Sequence, residues 1–150
     1  MRTRFSLALS IIIFGIALTT SVLSARQQQA GAPPAPRPGG WTIPPDADKE
    51  TNPLASDPKA PIAGKQLYEK SCKRCHGAAA KGDGPDADPD NQQDMDLTLA
   101  RRAARNPDGV VFYKIWNGRT KPKMPAFKDD LSKEQAWQIV SYVQTLRAKE

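Results

Sequence analysis

Histidine and cysteine are scarce in this chain. Its 150 residues hold one histidine, His76, and two cysteines, Cys72 and Cys75. A structural zinc site wants four ligands, usually cysteine and histidine, so these three side chains cannot build one. No second histidine is present to act on a distal face, and no paired carboxylates or nucleophile–base pair is legible. Nothing therefore points to bond-making chemistry. No run of β-branched residues flanks the cysteines, so the βαβ setting of a thioredoxin-like pair is missing. The net charge of +6 is modest, and no block of lysine and arginine is interleaved with aromatics, which removes the usual argument for nucleic-acid binding. No internal repeat is visible.

What is present is concentrated in Cys72-Lys-Arg-Cys75-His76. The pattern C-x-x-C-H is the attachment signature of c-type haem. Each cysteine sulfur can add across a haem vinyl group to form a thioether. The two-residue spacer lets both sulfurs reach one porphyrin edge. The adjacent histidine can then ligate the iron through a ring nitrogen. A disulfide between Cys72 and Cys75 would give His76 no role.

A haem held this way needs a second axial ligand or a reason to lack one. The candidates are Met1, Met95 and Met124. Met1 belongs to the leader. Met124 lies in a loop between Pro122 and Pro125, whose fixed φ angles stiffen the chain around it. A stiff loop holds a thioether against iron at small entropic cost. Met95 lies in the polar stretch Asn91-Gln-Gln-Asp-Met95-Asp96, which has no such bracing, and is expected to pack. The axial pair expected is His76 and Met124.

The chain divides by composition. Met1-Arg-Thr-Arg4 is positive, Phe5 to Leu18 is almost wholly apolar, and the stretch to Ala25 turns small and polar. Residues 1–25 read as a secretory signal peptide, or as an uncleaved anchor made by residues 5–25. Either form exports the remainder, to the periplasm or its equivalent. Residues 26–60 hold eight prolines and read as an extended linker and lead-in, with Trp41 to Asp57 expected on the domain surface. Residues 61–150 form the folding unit. It is small for a self-sufficient hydrophobic core, and a covalent haem would supply a large apolar body to pack around.

Within that unit the pattern is helical. A first helix is expected near Pro61, a loop over residues 78–96, and a short helix over Thr98–Arg105. A further helix is expected with Asn106 as N-cap and Pro107 at its first position, ending at Asn117-Gly118. Ser132-Lys-Glu-Gln135 is a capping box opening a last helix, whose Ala136, Ile139, Val140, Val143 and Leu146 form a stripe at helical spacing.

These motifs resemble the class I mono-haem cytochromes c of bacterial periplasmic type. The resemblance rests on Gly64-Lys-Gln-Leu-Tyr68, Cys72 to Gly77, Gly82-Asp-Gly-Pro85, Asp96-Leu-Thr98, Ile115-Trp-Asn-Gly118, Met124-Pro-Ala-Phe127 and the helix from Leu131. It covers residues 60 to 148. It implies a small all-α fold wrapped around one covalently bound haem, with the last helix crossing the first. It also implies haem attachment outside the cytoplasm. The family often carries a proline just before Asp-Leu-Thr, whose neighbourhood offers a carbonyl to the proximal histidine. This chain has Asp94 and Met95 there, which leaves Pro85 or Pro89 as candidates for that role.

Charge is uneven along the domain. Gly82 to Ala100 holds six acids and no base, whereas Arg101 to Lys133 holds nine bases and three acids. Arg119, Lys121, Lys123 and Lys128 surround Met124 in sequence, as a positive rim that would steer an acidic redox partner. The expected function is one-electron transport by a haem iron with His76/Met124 ligation, not enzymatic turnover. The partners expected are redox proteins, a dehydrogenase or an oxidase, with membrane association possible through the N-terminus. Two alternatives remain open: a haem-bearing subunit of a larger dehydrogenase or oxidase complex, and an open-site haem enzyme or gas sensor.

Overall fold

The computed structural model describes residues 40–147. The leader, the anchor and the first part of the Pro-rich segment lie outside the described residues. Among the described residues the fold is helical, and the only sheet-like pairings are two isolated bridges, Lys81 with Asp96 and Arg119 with Met124. Six helices follow in order: α1 Ala60–Ser71, α2 Lys73–His76, α3 Gln92–Met95, α4 Ala100–Ala103, α5 Asp108–Asn117 and α6 Lys133–Leu146. Short 3₁₀ turns occur at Ala47–Lys49 and Pro89–Asn91. Among the described residues no helix is long and apolar enough to cross a membrane.

The centre of the fold is the crossing of α1 over α6. It is close because α1 carries glycine at the contact. A Cβ on Gly64 would lie 1.9 Å from the Gln138 carbonyl oxygen, well inside any permitted approach. One turn on, Tyr68 meets Tyr142 edge-on, with ring centroids 5.2 Å apart. The stripe foreseen on α6 is buried at Ala136, Ile139, Val140 and Val143. Val111, Phe112 and Ile115 of α5 complete the core with Trp137, and Phe112 stacks on Trp137 at 4.2 Å and on Trp116 at 5.5 Å. Burial of an Ile139-sized side chain contributes about 1.5–3 kcal/mol.

The capping box at α6 forms in full. Ser132 Oγ accepts the Gln135 N–H at 3.1 Å, and Gln135 Oε1 accepts the Ser132 N–H at 2.9 Å. At α5 the start differs by one residue. Pro107, extended at φ −60° and ψ 170°, is the N-cap, and its carbonyl takes the Val111 N–H. Asn106 is not free to cap, because its Nδ2–H donates to the Arg102 carbonyl at 2.7 Å and its Oδ1 accepts from Lys114 Nζ. The short helix α4 begins later than Thr98. Asp96 Oδ1 accepts both the N–H and the hydroxyl of Thr98, at 2.8 and 2.7 Å, a local turn that competes with helix.

From Gly40 on, the lead-in packs on this helical unit. Ala47 is buried, and its carbonyl lies where a Cβ on Gly109 would fall. Asn52 is 7% exposed and donates its Nδ2–H to Ser141 Oγ at 2.8 Å.

Candidate haem site

The cysteine–histidine motif sits on a kink. Helix α1 ends as the Cys72 N–H bonds to the Tyr68 carbonyl at 2.8 Å. Cys72, at φ −115°, then starts the single turn α2, and its own carbonyl takes the N–H groups of Cys75 and His76. So the three motif side chains share one helical turn bent off α1. Both thiols are half-buried and unbridged. Burial, with Cys75 beside it, pushes the Cys72 thiol up to about 12.

The loop after the motif folds back and takes up its carbonyls. The Gly82 N–H bonds to the His76 carbonyl at 2.9 Å, Gly84 N–H to Cys75 at 3.3 Å and Asp86 N–H to Arg74 at 2.8 Å. The Tyr68 hydroxyl, buried at the helix crossing, donates to the Gly77 carbonyl at 2.7 Å. Its acidity is lowered chiefly by burial. The core helices thus hold the end of the motif, a link that the sequence pattern did not disclose.

His76 is fixed through Nδ1, which lies 2.7 Å from the Met95 carbonyl. A carbonyl only accepts, so Nδ1 carries the proton. Burial lowers the imidazole pKa, against the opposing effect of that same hydrogen bond, and favours the neutral ring. The neutral tautomer leaves a lone pair at Nε2. The orienting carbonyl therefore belongs to Met95, at the end of α3, and to neither Pro85 nor Pro89. Met95, in the stretch where the family often has proline, fulfils that role through its backbone carbonyl.

The two methionines lie in different settings. Met124 packs against the core cluster, as do Cys72 and Leu67. Its backbone is stapled on both sides: the Arg119 N–H bonds to the Met124 carbonyl at 2.8 Å, and the Met124 N–H to the Arg119 carbonyl at 2.9 Å. Gly118 makes this turn at φ +61°, where a Cβ would lie 2.5 Å from the Met124 carbonyl oxygen. Met95, by contrast, stands behind the histidine on its Nδ1 side.

The basic rim is smaller than expected. Lys121, Lys123 and Lys128 are exposed, but Arg119 is half-buried, its guanidinium 4.8 Å from the centre of the Trp41 ring. Trp41 also receives Lys114 Nζ at 5.3 Å. Trp41 is thus met by the charged ends of two cationic side chains.

Among the described residues no three His, Cys, Asp or Glu side chains converge as a metal cage. A half-buried histidine whose Nδ1 is engaged, two thiols at C-x-x-C spacing and an adjoining apolar cluster fit haem c instead. The Cytochrome c family model matches residues 62–147. The chain belongs to the cytochrome c family. Its cofactor is the covalently bound haem c of that family, and its broad role is haem-based electron transfer. Over 113 residues this cytochrome is 34% identical to the quinohemoprotein alcohol dehydrogenase ADH IIB of Pseudomonas putida, covering 74% of the chain but only 14% of that relative's length. Two solved structures share its fold. Cytochrome cL of the marine methylotroph Methylophaga aminisulfidivorans has a TM-score of 0.51 and 22% identity, over 63% of this chain and 58% of that one. A chain of the Kuenenia stuttgartiensis reducing HAO-like protein complex has a TM-score of 0.53 and 23% identity, over 80% and 53%.

Proposed function

We propose that this cytochrome carries single electrons between exported redox proteins, with His76 and Met124 as the axial ligands of its haem. The observation that carries the reading is the 2.7 Å hydrogen bond from His76 Nδ1–H to the Met95 carbonyl. It commits the proton to Nδ1 and leaves Nε2 as the only ring atom able to bind metal. The same bond argues for Met124 over Met95. The Met95 backbone is occupied behind the imidazole, so its sulfur is poorly placed for the opposite face of a ring bound at Nε2. Met124 is held by its paired backbone and sits at the cluster that Cys72 also touches.

Cys72 and Cys75 would hold the haem by thioethers, His76 from one face and Met124 from the other. The bound haem supplies a one-electron ferric/ferrous couple, and thioether ligation raises its potential. Both proposed ligands are braced: His76 by the Met95 carbonyl, and Met124 by its backbone pairing with Arg119. This favours transfer with little rearrangement over turnover of a substrate. Export is supported by the leader pattern of residues 1–25, cleaved or retained as an anchor. Exposed Lys121, Lys123 and Lys128 favour an acidic docking partner.

A second reading has its own support. Similarity to a quinohemoprotein alcohol dehydrogenase favours a haem module that takes electrons from a dehydrogenase, as a subunit or a soluble acceptor. Both readings require a closed six-coordinate iron, which distinguishes them from a gas sensor. Exposure of the ferrous holoprotein to carbon monoxide tests this. The visible spectrum is expected to stay unchanged at neutral pH; rapid formation of a carbonyl adduct would establish an open site.

A further inference from the structure

A basic cluster lies between the segments that brace the two proposed ligands. Arg102 of α4 donates from Nη1 to the Asp94 carbonyl at 2.9 Å and from Nη2 to Asp94 Oδ1 at 2.6 Å. Asp94 immediately precedes Met95, whose carbonyl holds His76. Arg119 pairs through its backbone with Met124. One arginine is thus tied to the histidine side and the other to the methionine side. Lys114 of α5 stands close to both.

This cluster is short of negative charge. Burial, followed by the neighbouring charges of Arg119, Arg102, Arg147 and Arg105, pushes Lys114 down to about 8. Five cations share the region. Among the described residues, the carboxylates that face them are two, Asp94 beside Arg102 and Arg119, and Asp108 beside Arg147. Among the described residues, the Nε–H groups of Arg102 and Arg119 are buried without a hydrogen-bond partner. Buried donors on charged groups are costly to leave unpaired. Trp41 lies over Lys114 and Arg119 and shields them from water.

We propose that Arg102, Lys114 and Arg119 form the seat of the haem's two propionate carboxylates, with Trp41 of the lead-in as its cover. Cys72 and Cys75 would hold the vinyl-bearing edge of the porphyrin, leaving the propionates for the opposite edge. With His76 and Met124 as ligands, the cluster anchored on both their bracing segments would be the part of this chain suited to receive that edge. Two carboxylates would bring the local charge closer to balance and would offer acceptors to the Nε–H groups that lack them. This assignment rests on the axial pair proposed above.

Resonance Raman spectra of the holoprotein, read at the propionate bending bands, test the seat together with the midpoint potential. Wild type is examined first. Lack of covalent haem, or of a low-spin methionine-ligated spectrum, would overturn the axial reading itself, before any variant is compared. Arg102→Gln, Arg119→Gln and Lys114→Met are then expected to shift the propionate bands. They are expected to lower the potential, because a cation near the iron has been removed and the ferric state is less disfavoured. Lys121→Gln makes the same change in net charge at an exposed site and is expected to leave both readouts in place. Arg119→Lys is expected to shift the bands while nearly retaining the potential. If the neutral variants give no holoprotein, Arg119→Lys decides alone. Propionate bands that coincide in wild type and every holoprotein variant obtained would overturn the proposal, as would a potential shift in Lys121→Gln equal to that of the cluster variants.

Discussion

His76 donates its Nδ1–H to the Met95 carbonyl over 2.7 Å, and Tyr68 donates its hydroxyl to the Gly77 carbonyl over the same distance. These two bonds hold the C-terminal end of the motif, one from α3 and one from the core. Their acceptors are backbone oxygens, which carry no signature in a sequence, so the Tyr68 bond was not legible there, and for the histidine only the presence of some carbonyl was implied by the resemblance. The residue types at the site were legible, because C-x-x-C-H is rare and its chemistry needs all three side chains. At this scale Tyr68→Phe is informative. It keeps the ring contact with Tyr142 but removes the hydroxyl's hydrogen bond, so that the Gly77 carbonyl keeps the Ala80 N–H as its donor. A loss of about 0.5–1.5 kcal/mol in stability is expected, read as a lower denaturant midpoint with the haem spectrum unchanged.

Helices α1 and α6 were both legible, the first from Pro61 near its start and the second from its capping box and apolar stripe. Boundaries set by long-range contacts were not. Asn106 has the chemistry of an N-cap, but Lys114 and the Arg102 carbonyl occupy its side chain, so Pro107 takes the position. Arg119 belongs by composition to an exposed rim, yet Trp41, far away in sequence, holds its guanidinium. The helix crossing gives the prediction for this scale. Gly64→Ala places a methyl group where the Gln138 carbonyl stands, and the two helices must separate. Overpacking of this kind costs about 1–3 kcal/mol, so the melting temperature is expected to fall by about 4–8 °C per kcal/mol. Ser132→Ala, which removes half of the capping box, is expected to cost about 1 kcal/mol. An unchanged melting temperature in Gly64→Ala would mean that the crossing is looser than described.

For the whole molecule, charge is divided between two tasks. The half-buried cations around Trp41 face inward, whereas Lys121, Lys123 and Lys128 remain hydrated at the surface near Met124. Exposed lysines contribute little to stability, so their neutralisation is expected to leave the melting temperature nearly unchanged. Steering of an acidic partner is another matter, because salt screens charges beyond about 10 Å at 0.1 M. Stopped-flow oxidation by an acidic redox partner is expected to slow with added salt. It is expected to slow further when Lys121, Lys123 and Lys128 are all changed to Gln, with only a small change in potential. A rate indifferent to both salt and substitution would place docking on another face.

The central claim is that His76 and Met124 close the iron from its two sides. It is tested most directly by the methionine-to-iron charge-transfer band of the ferric holoprotein, measured in wild type, Met124→Ala and Met95→Ala. The band is expected in wild type and in Met95→Ala. Its loss in Met124→Ala, with high-spin or water-ligated iron and a lower potential, is the predicted result. A band that survives in Met124→Ala and disappears in Met95→Ala would contradict the account.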